Sequence, residues 1–416
     1  MHAYLQVLRR RDFGLLWVGA TVSTLGDGMT IVALIWLVLE RTSSPIAVGW
    51  LTFLYTAPVV IGGVVAGTLL DRFDRRRVMA ADTVARAALM ASVPILDATV
   101  GLPTWWLYVV AAGYGALMMV PLAGVPALIP SLVDDHELTS ANALESISYG
   151  VGGILGPALA GLLVAIIGAP AVIGLDALTY LGFFGCLVLI RPIPAAHGRA
   201  GAVPRGGGIG AVLRMLMSSP PIVATTLMFM AANVGQGIFT VAVPIYAVNV
   251  LGRDAAAYGA ILAAFSGGLL LGSIVVGAVG TPLRLGRAIA AAQFAAGLVL
   301  LGFVGRPELP VSLALGAAFG LGASPLTIWA QTIRMRLIPA DQRGRAFALL
   351  RTLMQSAPPL GGLAGGLVIA RTGIDAAFVL ASLAIAVPGA VGLVARALDD
   401  ASVSQVGVVD SRLAIE

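Results

Sequence analysis

Twelve long apolar stretches follow one another along this chain and restrict the folds open to it. Each is long enough for a helix that crosses the hydrocarbon layer of a bilayer, which takes about 20 mostly apolar residues. Their apolarity is continuous, whereas the strands of a membrane barrel alternate over about 10 residues. The pattern predicts an all-α membrane protein with twelve transmembrane helices. The predicted limits are 13–39, 46–70, 78–100, 104–132, 142–167, 170–190, 220–249, 256–280, 285–305, 309–333, 345–370 and 374–396.

Composition excludes a soluble globular protein. Hydrophobic residues make up 59% of the 416 positions and charged residues 11%, whereas a soluble surface needs far more charge than this. The net charge of +5 suits a surface beside anionic lipid headgroups and requires no nucleic-acid partner. The lipid bilayer is therefore the expected surroundings of the chain.

The distribution of basic residues predicts the orientation. All 25 basic residues are arginine; 20 fall on one face of the predicted membrane and four on the other, while Arg86 lies within the third span. Cytoplasmic loops carry the excess of basic residues in membrane proteins. We therefore expect a multi-pass protein of the cell inner or plasma membrane with both termini in the cytoplasm.

An internal repeat divides the chain into two halves. A shift of 209 residues places Gly26-Asp27-Gly28 on Gly235-Gln236-Gly237, and the same shift places Gly156 on Gly365. Chance agreement in a glycine-rich chain is the alternative, but the offset holds across separate spans. With six spans in each half, the repeat predicts two pseudo-symmetric bundles that point the same way and enclose a central cavity. The predicted domains are residues 1–191 and 219–397, joined by a linker at 192–218 with an amphipathic piece at 209–217, and followed by a disordered tail at 398–416.

Two motifs carry a resemblance to a known family. The loop between the second and third spans resembles the signature of the major facilitator superfamily; its residues are Gly67, Asp71, Arg72, Arg75, Arg76 and Arg77. The fifth span resembles the motif of that superfamily's drug and metabolite antiporters, with alanine where a second glycine is usual; its residues are Gly152, Gly156, Pro157 and Gly161. Three further stretches are similar to the branch of enterobactin exporters and macrolide-efflux proteins: Gly26-Asp27, Ala81-Asp82 with Arg86, and Ser140 to Leu144.

The resemblance implies the major facilitator fold, a small-molecule substrate and efflux by alternating access. One departure bears on the energy source. Many proton-coupled relatives carry an arginine in the fourth span, but residues 105–133 contain no basic residue. Proton coupling through that arginine therefore does not follow from the resemblance.

Asp27 is the strongest candidate for a functional side chain. It lies about 21 Å into the first span, at 1.5 Å per residue, where an ionisable group is costly and should face the interior of the bundle. The functional interpretation is a group that binds and releases a proton; the alternative is an acid that only packs two helices. At matching depth in the seventh span, Asn233 and Gln236 either line the cavity from the other half or join helices by hydrogen bonds.

Other polar residues have less specific interpretations. Glu145 either caps the fifth helix or faces the vestibule of the cavity. Asp82 and Arg86 are four residues apart on one helix face, which predicts an ion pair of their own; alternatively, Arg86 replaces the missing arginine of the fourth span. Asp176 is predicted to be structural.

The two motifs also have paired interpretations. Asp71 is predicted to sit against the positive end of a facing helix, which the resemblance identifies as the eleventh, while its arginines pair with nearby acids. Such contacts would latch the halves on the cytoplasmic side; the alternative is a cluster that only anchors the topology. The glycines and Pro157 of the fifth span predict a tight helix interface, or simply ordinary glycine and proline use in a membrane helix.

The sequence contains no phosphate-binding loop for ATP, and its three histidines and one cysteine are scattered. We therefore expect no enzyme activity, no cofactor and no metal site. The prediction is a monomeric secondary exporter of small lipophilic compounds, a drug or a siderophore-like metabolite, by proton antiport. The alternatives are an uncoupled facilitator or importer, and a non-transporting membrane scaffold or sensor.

Overall fold

A computed structural model describes residues 2–191, 209–280, 282, 284–339, 342–394 and 398. Within these residues all regular structure is helical, and twelve helices are long and apolar enough to cross a membrane. The predicted fold class is thereby confirmed. The twelve spans, numbered in chain order, are Arg11–Thr42, Pro45–Gly63, Arg75–Thr99, Thr104–Ser131, Asp135–Ile167, Ala169–Leu189, Pro220–Asn249, Ala255–Val279, Leu285–Gly305, Leu309–Leu337, Arg345–Thr372 and Ile374–Val394.

Local sequence sets where these helices break. Gly168, with φ +81°, ends the fifth helix and lets the chain turn into the sixth, because a residue without a Cβ adopts this conformation readily. Pro58 begins a new helix, Pro58–Arg72, directly after Pro45–Thr56, since proline lacks the N–H that would continue the earlier one. The second and third spans are therefore connected through a helix that extends past the apolar stretch to Arg72.

Among the described residues, two short helices lie outside the spans. His2–Arg9 precedes the first span, and Ile209–Met217 coincides with the amphipathic piece predicted at 209–217. In the latter, Val212 and Leu216 are buried in a cluster with Ala346 and Leu350. The predicted linker residues 192–208, and the predicted tail apart from residue 398, lie outside the described residues.

The chain divides into two compact units. Unit 1 comprises Met1–Ala202 and Val243–Ala263, and unit 2 comprises Val203–Ala242 and Ala264–Glu416. The domain limits derived from the repeat stay a prediction.

Each unit contains the same close contact at the repeated glycines. In unit 1 the first and fifth spans touch backbone to backbone: a Cβ on Gly156 would lie 2.7 Å from the Cα atom of Gly28. In unit 2 the seventh and eleventh spans touch in the same way: a Cβ on Gly237 would lie 3.1 Å from the Cα atom of Gly361. Only residues without side chains allow helices to approach this closely.

In each unit, the glycine two residues earlier in the chain faces a different helix. These glycines are Gly26 in unit 1 and Gly235 in unit 2. A Cβ on Gly26 would lie 2.5 Å from the Thr179 hydroxyl oxygen and 3.0 Å from Cγ of Asp176, in the sixth span. A Cβ on Gly235 would lie 2.5 Å from Cγ1 of Ile385, in the twelfth span. Asp176 and Ile385 are themselves 209 positions apart, so the sequence repeat is also a repeat of helix contacts. At this position, a carboxylate in unit 1 corresponds to an aliphatic side chain in unit 2.

Candidate functional site

A cavity in unit 1 lies among the first, fourth, fifth and sixth spans. Its volume is about 60 Å³, and because one water needs about 10–15 Å³, the cavity has room for a few waters. Most of its wall is apolar or aromatic. The lining residues are Phe13, Leu16, Trp17, Ala20, Ser23, Thr24, Asp27, Met118, Pro121, Leu122, Val125, Ile129, Glu145, Ser148, Tyr149 and Phe183.

One face of the first span forms the longest wall. Its lining residues, from Phe13 to Asp27, recur every three or four positions and therefore share one side of the helix. At 1.5 Å per residue they extend over about 21 Å. The indole N–H of Trp17 donates a hydrogen bond of 2.8 Å to the Leu144 carbonyl oxygen. This bond places Glu145, the next residue of the fifth span, at the same height along the first span as Trp17. Asp27 and Glu145 thus lie near different ends of the cavity, about 15 Å apart along the first span.

Asp27 faces the cavity and is joined to two buried side chains. The Tyr180 hydroxyl donates a hydrogen bond to its Oδ1 atom, and Arg86 Nη1 lies 3.3 Å from the same atom. A quarter of the Asp27 side chain remains exposed. The carboxylate thus contacts both the cavity and the helix interior.

Arg86 is the centre of a polar cluster that it forms with Asp27, Asp82 and Tyr180. Its side chain is buried, its Nε atom lies 3.0 Å from Asp82 Oδ2, and its Nη1 atom donates to the Tyr180 hydroxyl at 3.1 Å. The ion pair predicted between Asp82 and Arg86 is therefore present, but it is not confined to the third span, because Arg86 also contacts Asp27. Among the described residues, Arg86 Nη2 and Asp82 Oδ1 are buried without a hydrogen-bond partner.

The sixth span supplies a second buried acid beside Asp27. Asp176 is fully buried; the Thr30 hydroxyl donates to its Oδ2 at 2.5 Å and the Thr179 hydroxyl donates to its Oδ1 at 2.9 Å. Asp176 was predicted to be structural, and Tyr180 was not among the predicted site residues. The available signal was their spacing: two polar side chains four residues apart, on one face of an otherwise apolar helix.

The cluster contains more acids than bases. One arginine, Arg86, contacts Asp27 and Asp82, and Asp176 lies beside Gly26, the residue before Asp27. Excess charge of one sign is unfavourable where water is scarce.

Glu145 is half-buried and lines the cavity. Near the start of the fifth span, a backbone N–H is satisfied by a different acid: the Asp134 N–H donates to Glu137 Oε2 at 3.1 Å. Of its two predicted positions, Glu145 therefore occupies the one that faces the cavity. Its role in binding stays a prediction.

The predicted polar residues of the seventh span belong to unit 2. Asn233 is buried, and its Nδ2 atom donates to the Met354 carbonyl oxygen at 2.8 Å. Gln236 is exposed and lines a smaller cavity of about 30 Å³, together with Gln293. Their participation in transport stays a prediction.

The arginines after the second span bind the ends of neighbouring helices. Arg75 Nη1 donates to the Ala127 carbonyl oxygen at 2.7 Å, and Arg76 Nη1 donates to that of Ile190. These carbonyls lie at the C-terminal ends of the fourth and sixth spans, where helices leave acceptors unsatisfied. Both contacts are within unit 1.

The remaining residues of this motif make fewer described contacts. A Cβ on Gly67 would meet nothing within 4 Å, while the side chains of Arg72 and Arg77 are exposed. The Asp71 side chain lies outside the described side chains. The latch between the two halves stays a prediction.

The fifth-span motif faces two different helices. Gly152 and Gly156 approach the first span at Gly28. Five residues beyond Gly156, Gly161 approaches the eighth span: a Cβ on it would lie 2.6 Å from the Ala255 carbonyl oxygen and 3.0 Å from the Cα atom of Gly259. The carbonyl of Pro157 is also close to Gly259. The motif thus makes close helix contacts and supplies no chemical group to the cavity.

Comparison with known proteins identifies the relatives of this chain. A family profile described as transmembrane secretion effector matches residues 3–407. The multidrug efflux pump Tap of Mycolicibacterium fortuitum is 27% identical over 92% of this chain and 96% of its own length. Macrolide efflux protein A of Streptococcus pyogenes is 25% identical over 90% of this chain and 93% of its own length. The crystal structure of the nucleoside transporter NupG shares the fold, with a TM-score of 0.73 and 10% identity over 92% of this chain and 99% of that one.

Proposed function

This chain belongs to the transmembrane secretion effector family of the major facilitator superfamily, and on that premise we propose that it is a secondary active exporter. It moves small lipophilic compounds outward across the cell membrane by alternating access and exchanges them for protons. It works as a monomer with both termini in the cytoplasm. Relatives named as multidrug and macrolide efflux proteins support the direction of transport and the lipophilic class of substrate.

The observation that carries the proposal is the double environment of Asp27. Its carboxylate lines a largely apolar cavity and also touches the buried Arg86. A proton on Asp27 removes its negative charge and weakens its attraction to Arg86, which keeps its contact with Asp82. Loss of that proton restores the attraction. Proton occupancy therefore changes the forces between the first and third spans at the wall of the cavity.

Coupling requires that this change favours one conformation over another. A ligand or a proton shifts a conformational equilibrium only by the difference between its affinities for the two states. In our proposal a proton binds Asp27 preferentially in the state open to the outside, and substrate binds preferentially in the state open to the cytoplasm. Arg86 fills the role that the resemblance assigns to a fourth-span arginine.

The scaffold interpretation explains less of this arrangement. A protein that only organises other membrane components gains nothing from a carboxylate and an arginine beside a cavity, because each is costly to place within the membrane. The uncoupled facilitator accounts for the cavity but not for the acid-rich cluster. The two transport mechanisms make different predictions about the effect of a pH gradient.

The test uses purified protein in proteoliposomes with an imposed pH gradient. Radiolabelled erythromycin and, separately, a catecholate siderophore are followed with the gradient in either direction and after an uncoupler is added. The exporter accumulates at least one of these compounds against its concentration gradient, and the uncoupler abolishes accumulation. Equilibration that ignores the pH gradient would identify a facilitator instead.

A further inference from the structure

We propose that Tyr180 is a positioning residue for the proton site: its hydroxyl holds Oδ1 of Asp27 and leaves Oδ2 to take up a proton from the cavity. The inference rests on the proposed exporter for the use of that proton in transport. Its physical basis is the polarity of one buried hydroxyl that lies between a guanidinium and a carboxylate.

The direction of the hydrogen bonds at Tyr180 is set by Arg86. Tyr180 is fully buried, and Arg86 Nη1 donates to its hydroxyl at 3.1 Å. A guanidinium keeps its protons and can only donate, so the Tyr180 oxygen is the acceptor in this bond. The single hydrogen of the hydroxyl is therefore left for the other neighbour, Oδ1 of Asp27.

The Tyr180 ring contacts the same arginine as its hydroxyl. The Arg86 Cζ atom lies 4.6 Å from the centroid of the ring, within the range of a cation–π interaction. Arg86 is itself fully buried. Tyr180 thus holds the guanidinium through its ring and the Asp27 carboxylate through its hydroxyl, and it fixes the two groups relative to each other.

The two oxygens of the Asp27 carboxylate have different surroundings. Oδ1 accepts the hydrogen bond from Tyr180 and lies 3.3 Å from Arg86 Nη1, whereas no described residue donates to Oδ2. Hydrogen bonds to an ionised group oppose its protonation, so Oδ1 is the poorer site for a proton. Since Asp27 lines the cavity with a quarter of its side chain exposed, Oδ2 is the oxygen left for a proton that arrives through the cavity.

Tyr180 keeps its hydrogen bond in both protonation states. An acid protonated on Oδ2 still accepts through Oδ1, while the attraction between Asp27 and Arg86 falls. A hydrogen bond to a charged group is stronger than one to a neutral group. Removal of the Tyr180 hydroxyl therefore destabilises the ionised form of Asp27 more than the neutral form, and Asp27 should bind its proton at a higher pH.

The other ionisable groups around Asp27 stay in place when this hydroxyl is removed. They are Tyr55 of the second span, Asp82 and Arg86 of the third, Tyr114 of the fourth, Glu145 of the fifth and Asp176 of the sixth. Within the described part of the chain, only Arg86 and Tyr180 form a hydrogen bond or an ion pair with Asp27. A change in proton binding by Tyr180→Phe thus reports the lost hydroxyl.

Infrared difference spectroscopy of the full-length protein in detergent measures this proton directly. The carbonyl band of protonated Asp27 is identified by its loss in Asp27→Asn and is followed as the pH is changed. Tyr180→Phe should raise the pH at which the band is half-maximal by about one unit. Tyr258→Phe is the matched control and should leave this pH unchanged, because Tyr258 is also fully buried but its hydroxyl has no hydrogen-bond partner among the described residues.

An unchanged titration of Asp27 in a folded Tyr180→Phe variant would overturn the proposal. The parent protein provides a second measurement if that variant does not fold, since a hydrogen bond to a carbonyl oxygen lowers its stretching frequency. An Asp27 band at the frequency of a free carbonyl would also overturn the proposal. Failure of the exporter proposal looks different: the spectra need no gradient and no substrate, so a shifted titration without proton-driven transport would refute coupling and leave the role of Tyr180 standing.

Discussion

Arg86 Nη1 lies 3.3 Å from Asp27 Oδ1, and this contact joins the third span to the first at the wall of a cavity. The same guanidinium holds Asp82 through its Nε atom. Neither acid can change its charge without changing the forces on Arg86. The contact therefore links the stability of unit 1 to the chemistry proposed for transport.

Replacement of Arg86 by methionine should destabilise the protein strongly. The change leaves buried carboxylates without their basic partner, and removal of one member of a buried pair costs about 3–5 kcal/mol. Thermal unfolding in detergent measures the effect. Arg77→Met, at an exposed position, should be nearly neutral, and Arg86→Met combined with Asp82→Asn should recover part of the loss. An Arg86→Met protein as stable as its parent would show that the cluster is not an ionic one.

Gly28→Ala should loosen the contact between the first and fifth spans. A Cβ on Gly28 would lie 3.1 Å from the Cα atom of Gly156 and still closer to the Gly152 carbonyl, so the helices must separate. Overpacking of this kind costs about 1–3 kcal/mol. The matched control is Gly153→Ala, because a Cβ there meets nothing within 4 Å. Equal unfolding temperatures for the two variants would contradict the observed approach of the helices.

Thr30→Val should leave Asp176 short of a hydrogen-bond donor. The Thr30 hydroxyl donates to the fully buried Asp176 carboxylate, and an unsatisfied buried group costs about 1–3 kcal/mol. Thr99→Val removes a hydroxyl that bonds only to its own helix at an exposed position and should have little effect. If both substitutions lower the unfolding temperature equally, Asp176 does not depend on Thr30.

The spans and their number could be predicted from the sequence because each helix needs a long apolar stretch, whatever its neighbours are. The position of Asp27 within the first span followed from the same apolar stretch. Its partners did not: Arg86 and Tyr180 are 59 and 153 residues away along the chain. Hydropathy does not specify which faces of two apolar helices meet, since that depends on close packing between them.

The glycine motifs also show that spacing along the chain predicts some contacts, whereas others depend on how the helices pack. The offset of 209 residues predicted a repeat, and the contacts of Gly28 and Gly237 reproduce it. The spacing of Asp82 and Arg86 predicted their ion pair, because four residues make one turn of helix. Its extension to Asp27 required the tertiary arrangement, in which Gly26 and Gly28 let the first span approach two neighbours at once.

The most direct test of the account measures proton movement during transport by Asp27→Asn. Addition of erythromycin to proteoliposomes containing the parent protein should move protons across the membrane, reported by a pH-sensitive dye inside the vesicles. Asp12→Asn, the same change in the first turn of the same helix, should behave like the parent. Asp27→Asn should move no protons while flux of erythromycin down its gradient continues. Substrate-driven proton movement that is unchanged in Asp27→Asn would contradict the central claim, because the carboxylate between the cavity and Arg86 would then have no part in coupling.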